Sequence, residues 1–154
     1  MQLSKKSDYA LRAMVELAAC HNEVSITAGA IAKKHEIPLP FLEQILHDLK
    51  HAGLVKSRLG ASGGYCLARA PKEITFGQVI RVMEKSLAPI GCVDLTDPSP
   101  CANFTSCRFH QVMARLRDAM SGVVDHTTLA DVAGTAPPVP QVPRALRAAV
   151  GTPT

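Results

Sequence analysis

The chain has no tryptophan, and aromatic residues make up only 4% of it, two tyrosines and four phenylalanines. It also lacks long apolar runs. The stretch from Ala10 to Cys20 is broken by Arg12 and Glu16, and nothing approaches the ~18 apolar residues that cross a bilayer. No apolar signal region follows the lysines of the opening MQLSKKSDY. These absences predict a cytoplasmic protein with no membrane segment. Catalytic constellations are missing as well: the six histidines are scattered, no serine sits in an elbow motif, and no nucleophile–base pair stands out. Enzymatic function is therefore not expected, and no internal repeat is present. Cysteine is not scarce. Five cysteines in a reducing compartment point to metal or redox chemistry rather than to a disulfide framework.

What is present is an ordinary globular composition. The 154 residues, 47% of them apolar, suffice for one domain with a proper core and an appendage. The net charge of +4 is unevenly placed. Residues 1–72 carry ten Lys/Arg against six Asp/Glu, whereas residues 73–154 carry seven of each. The excess thus lies on the N-terminal half, where a polyanion would dock.

The spacing of Ala10, Met14, Leu17 and Ala18 predicts a helix from Ser7, as cap, to about Ala19. Thr27 caps a short second helix ending near His35, because Ile37-Pro38-Leu39-Pro40 interrupts it. Pro40 suits the first turn of a third helix with the stripe Leu42, Ile45, Leu46, Leu49 and Ala52, closed by Gly53. Its opposite face is polar, and the whole reads as a helix-turn-helix. Val55 to Arg58 and Tyr65 to Leu67 then form a hairpin wing around Gly60-Ala61-Ser62-Gly63-Gly64. Thr75 and Gln78 make a capping box, with Ile74 and Val79 as its staple, for a helix reaching about Lys85. Ala88 to Cys107 is an irregular loop. A long helix follows from Arg108, with Phe109, Val112, Met113, Leu116, Ala119, Met120 and Val123 on one face, suited to packing against a second copy. A short helix starts at Thr127 or Thr128. The expected organisation is a DNA-binding domain over 1–85, a cysteine-bearing loop over 86–107, helices over 108–133, and a Pro-rich, disordered tail over 134–154.

The end of a recognition helix that faces base edges needs forked or short polar side chains. Pro40, Phe41, Glu43, Gln44 and His47 occupy that end, Gln suiting adenine and Glu the cytosine amino group. Lys33, Lys34, Lys50, Lys56 and Arg58 suit phosphates. The wing, including Ser62, allows close backbone approach, and Arg58 can reach a minor groove. Double-stranded operator DNA and a homodimer on a palindrome are the partners so implied. Further on, Cys92, Cys101 and Cys107 share one loop, separated by eight and five residues. Their spacing is wider than a structural zinc knuckle and leaves an iron–sulfur cluster, zinc or unrelated reduced thiols open.

In the order Ser7-Asp8-Tyr9-Ala10-Leu11-Arg12, Phe41-Leu42-Glu43-Gln44-Ile45-Leu46, Ala52-Gly53-Leu54-Val55, Gly63-Gly64-Tyr65 and Thr127-Thr128-Leu129, the chain resembles a family of bacterial winged-helix regulators. That family includes the iron–sulfur cluster regulator IscR and the nitric-oxide-sensing repressor NsrR. The resemblance covers about residues 1–132. It implies a mainly α, winged helix-turn-helix fold with a small β-hairpin wing and a long C-terminal dimerisation helix. It also implies base contacts from Glu43 and Gln44, and an iron–sulfur cluster on Cys92, Cys101 and Cys107. The fourth ligand is His110, matching a Cys-x-x-His in IscR-like proteins and a 2Fe–2S cluster, or Asp8, matching a partner-subunit aspartate in NsrR-like proteins and a 4Fe–4S cluster. One departure is Leu59 directly before the first wing glycine, where the family often has Arg; Arg58 stands one residue earlier. The function expected is a regulator, a repressor, whose operator affinity follows cluster state. The alternatives are a thiol-redox or zinc-stabilised regulator without a cluster, and an iron–sulfur electron carrier.

Overall fold

The computed structural model describes residues 3–20, 25–60 and 63–134. The tail expected over 134–154 lies outside them apart from Gly134, and so does Ser62. Helix α1 (Lys5–Ala19) begins before the expected Ser7, because Ser4 is the cap: its Oγ accepts from the Ser7 N–H at 3.2 Å. Ser7 instead lies on the stripe of Ala10, Met14 and Leu17, so it is buried, and its hydroxyl donates to Glu84 Oε1 at 2.6 Å. Thr27 caps α2 (Ala28–His35), its Oγ1 accepting from the Ala30 N–H. The turn that follows places Glu36 in the left-handed region, at φ 54°. Helix α3 (Leu39–His51) carries Pro40 in its first turn, where no backbone donor is needed. Its buried residues are Leu42, Ile45, Leu46 and Leu49.

Strands β1 (Val55–Arg58) and β2 (Gly64–Leu67) pair antiparallel, Val55 opposite Leu67 and Arg58 opposite Gly64. Ile26 adds a further rung, exchanging backbone hydrogen bonds with Tyr65 at 2.9 and 2.8 Å. A Cβ at Gly64 would lie 2.5 Å from the Ile26 carbonyl oxygen, so this approach requires glycine. A 3₁₀ turn (Pro71–Glu73) leads to α4 (Phe76–Glu84), which has the expected Thr75/Gln78 capping box with Ile74 and Val79 buried. The loop after α4 holds one 3₁₀ turn (Gly91–Val93), regular structure where none was expected. Helix α5 (Arg108–Val124) has no buried residue. Helix α6 (Leu129–Ala133), capped by Thr128, returns to the core: Leu129 is fully buried and its N–H bonds the Ile74 carbonyl at 2.9 Å. The described elements are thus a mainly helical winged helix-turn-helix with a two-stranded wing.

The core forms where the stripes of α1 and α3 meet Ile31, Leu67, Ile74, Val79 and Leu129. At about 25 cal/mol per Å² of apolar surface removed from water, this burial is the main force holding α3 in place. Helix α5 attaches by polar clamps instead. Arg81 forks onto Asp125, Nη2 donating to Oδ2 at 2.9 Å and Nη1 to Oδ1. Arg117 Nη1 donates to the Val93 carbonyl at 2.7 Å.

Candidate functional site

The buried stripe of α3 fixes which residues point outward. Pro40, Phe41, Glu43, Gln44, His47 and Lys50 are all exposed, as the sequence predicts for a helix that reads DNA. Phe41 meets the edge of Tyr9 at 5.8 Å between ring centres, which ties the start of α3 to α1. The Gln44 amide donates to Asp48 Oδ1 at 3.0 Å, and Lys6 of α1 holds Asp48 Oδ2 at 2.7 Å. The hydrogen bond from Lys6, seconded by Gln44, keeps the Asp48 carboxyl below its ordinary range. Two imidazoles, His47 and His51, lie together at 4.4 Å one turn apart.

Of the expected phosphate contacts, Lys33 is exposed on α2 and Lys56 and Arg58 on β1. Lys50 Nζ donates to Ser57 Oγ at 2.7 Å and so bridges the helix to the wing. Lys34 is turned toward α1, on Glu16 Oε1 at 2.7 Å. Burial pushes the Glu16 carboxyl up, but hydrogen bonds from Lys34 and His35 outweigh it and leave the group below its ordinary value. Leu59, at the position where an arginine was noted as common, is 99% exposed. The Lys6–Asp48–Gln44 chain was not read from the sequence. The four-residue spacing of Gln44 and Asp48 was the available signal, whereas Lys6 comes near only through tertiary packing.

The cysteine loop is less assembled. Cys92 and Cys107 are half-buried and Cys101 is exposed. Among the described residues, no group of three or more His, Cys, Asp and Glu stands ready to hold a metal ion. The donor chemistry nonetheless suits iron–sulfur or zinc, since thiolates and imidazole are the ligands both take. Cys107 precedes α5, and its side chain caps nothing. One helical turn on, His110 packs edge-on against Phe104 at 4.5 Å, and its Nδ1 is buried without a hydrogen-bond partner among the described residues. Asp8 is engaged on α1, its Oδ1 accepting from Arg12 Nε at 2.9 Å. Cys20, half-buried at the end of α1, and Cys66, buried in β2, lie outside the loop.

Along α5, Phe109, Val112, Leu116, Ala119 and Val123 recur every three or four residues, and all are exposed. Phe109, Val112 and Val123 each leave more than half their surface in solvent. Burying such a seam takes a further apolar surface. No helix among the described residues is long and apolar enough to cross a membrane.

A profile of the Rrf2 family, described as iron-dependent transcriptional regulators, matches residues 3–135. The chain is 38% identical over 133 residues to CymR of Bacillus subtilis, covering 86% of this chain and 90% of that one. The solved structure of that protein, described as the global cysteine regulator of B. subtilis, superposes with a TM-score of 0.71 over 86% of this chain and 96% of the other. An oxidized form of Staphylococcus aureus CymR matches at 30% identity and TM-score 0.72, covering 89% and 99% of the two chains. T. potens IscR matches at 33% identity and TM-score 0.69, covering 85% of each. These relatives are transcriptional regulators, not enzymes, and they lend the electron-carrier alternative no support. With the winged-helix geometry and this breadth of match, the chain belongs to the Rrf2 family of transcriptional regulators.

Proposed function

We propose that this regulator is a cytoplasmic homodimer that represses from palindromic operator DNA, with its affinity set by an iron–sulfur cluster. Glu43 and Gln44, with Pro40, Phe41 and His47 beside them, read base edges in the major groove. Lys33, Lys34, Lys50 and Arg58, with the wing around Ser62, hold the backbone. Lys34 leaves Glu16 to do so. The apolar seam of α5 packs against the same seam of a second copy, which spaces the two reading helices.

The cluster reading is carried by one observation: the buried Nδ1 of His110, one turn beyond Cys107, which has no hydrogen-bond partner among the described residues. A buried ring nitrogen lacking a hydrogen bond is costly, and a metal bond satisfies it. Cys92, Cys101, Cys107 and His110 would hold the cluster. Asp8 is the alternative fourth ligand, supplied to the partner's loop, and would first have to leave Arg12. Bound there, the cluster would supply reactivity toward oxidants, nitric oxide and iron loss. The chain's own part is transmission. Gathering the thiols draws in the loop, which Arg117 ties to α5 through Val93; Arg81 and Asp125 tie α5 to α4, and Glu84 and Ser7 tie α4 to α1. Any such shift biases the spacing of the reading helices.

The test is anaerobic purification with iron and sulfide counts and a visible spectrum, repeated on His110→Ala and Asp8→Ala. A brown protein whose cluster is lost or altered in His110→Ala and kept in Asp8→Ala is the expected result. The reverse pattern would move the fourth ligand to Asp8. A colourless protein, or one holding zinc, would refute cluster control.

A further inference from the structure

We propose that Asp48, anchored by Lys6, is the positioning residue that orients the Gln44 amide on α3, and so selects the base edge that Gln44 reads. This rests on α3 being the DNA-reading helix. Asp48 has its two carboxylate oxygens divided between two partners. Oδ2 takes Lys6 Nζ at 2.7 Å, and Oδ1 takes Gln44 Nε2 at 3.0 Å. His47 Nδ1 stands 3.7 Å from the same Oδ1, too far for a hydrogen bond, so it does not displace the amide. The Asp48 side chain is about a quarter exposed (27%) and Lys6 a third (33%), while Gln44 is open to solvent. The clamp therefore sits behind the reading residue, between α3 and the first turn of α1.

The chemistry of this arrangement has only one sense. An ionised carboxylate accepts and never donates, so the amide must offer it an N–H. Lys6 keeps Asp48 ionised, its carboxyl lying below the ordinary range. The Gln44 amide is thus barred from flipping. What it presents outward is its carbonyl oxygen with the second N–H. That edge matches adenine, whose N6 amino group donates and whose N7 accepts. An unclamped glutamine can turn its whole amino group outward and offer two N–H donors to the acceptor pair of guanine, O6 and N7. The clamp removes that pose before DNA arrives, leaving one outward N–H beside an acceptor, an edge that pairs fully only with adenine, and it also lowers the ordering that binding requires. Lys6, though basic and near α3, spends its charge on Asp48.

The experiment is selection of duplexes from a random pool at fixed salt and pH with the wild type, Gln44→Ala, Asp48→Asn and Lys6→Met, with each variant's melting temperature recorded. The wild type should yield a consensus with an adenine whose preference vanishes in Gln44→Ala. In Asp48→Asn the new amide both donates and accepts, so Gln44 can flip. Preference for adenine over guanine at that position should fall by about three- to tenfold. Affinity for random-sequence DNA should not fall, because an anion has left the DNA-facing helix. Lys6→Met should shift preference in the same direction by less. An unchanged adenine preference in Asp48→Asn overturns the inference. So does a parallel loss of specific and non-specific binding with a lowered melting temperature, the mark of a merely structural role. A consensus indifferent to Gln44→Ala refutes the Gln44 assignment and the clamp with it. A wild type that selects no consensus refutes the DNA-reading proposal itself.

Discussion

Replacing Gly77 by alanine should destabilise the protein, although alanine is the better helix former. Gly77 is the second residue of α4 and is buried. A Cβ there would fall on Asp125 Oδ1 and lie 2.8 Å from Arg81 Nη1, in the middle of the fork that holds the end of α5. Helix propensity favours alanine by about 1 kcal/mol. Against this stand overpacking, about 1–3 kcal/mol, and the displaced Arg81–Asp125 pair. That pair is a third exposed, so its loss is about 1 kcal/mol at most. Because the obstructing atoms are the ends of two side chains, the net expectation runs from about zero to a loss of about 3 kcal/mol, at about 2–4 °C in melting temperature per kcal/mol. The comparison is Gly29→Ala, the second residue of α2, where an added Cβ meets nothing within 4 Å. There propensity acts alone, and a gain of about 0.5–1 kcal/mol is expected. Thermal and urea unfolding at one fixed protein concentration reads both. In an Asp125→Ala background the cost of Gly77→Ala should largely disappear, since the obstructing carboxylate is gone. Equal stabilisation by Gly77→Ala and Gly29→Ala, or an undiminished cost in the double variant, would refute the reasoning.

Three further outcomes are expected. The hydrogen bond from Arg81 lowers the Asp125 carboxyl relative to its unfolded value near 3.8. Its contribution is therefore present above about pH 4 and lost as pH falls through the lowered folded value, so Asp125→Asn should cost stability at pH 7 and little in strong acid, as read by denaturant midpoints. Glu36 sits at φ 54°, ψ 40°, where a Cβ is strained; Glu36→Gly should raise stability by up to about 1 kcal/mol, and a fall would mean the side chain contributes more than strain costs. Val112→Glu places a charge in the exposed seam of α5 and should convert the proposed dimer to monomers in sedimentation while leaving the monomer's helical content intact, whereas an unchanged dimer would exclude this face as the interface.

Much of this molecule was legible because its signals are local. Thr75 and Gln78 are three residues apart, and their reciprocal hydrogen bonds need nothing from elsewhere in the chain. The stripe of α3 announced both the buried face and, by exclusion, the face that offers Glu43, Gln44 and His47. Ser7 shows where local reading fails. A serine before an apolar stripe looks like a cap, yet its own position on that stripe carries it inward to Glu84, seventy-seven residues away, and leaves Ser4 to cap the helix. Lys34 likewise reads as a free cation until α1 brings Glu16 beneath it.

The sequence by itself determined the element order, the winged-helix class and the exposed polar face of α3, because periodicity, caps and glycine turns act over a few residues. It also named the three loop cysteines and His110, though not their arrangement. Only the tertiary structure decided the partners of polar groups distant in sequence. It put Lys6 on Asp48 behind the Gln44 amide, put Arg117 on the Val93 carbonyl, and left the His110 ring nitrogen buried with no hydrogen-bond partner among the described residues. The physical reason is that a hydrogen bond depends on a few ångströms of distance and a direction. Those are set by how the buried stripes of separate helices pack together, and no spacing along the chain encodes them.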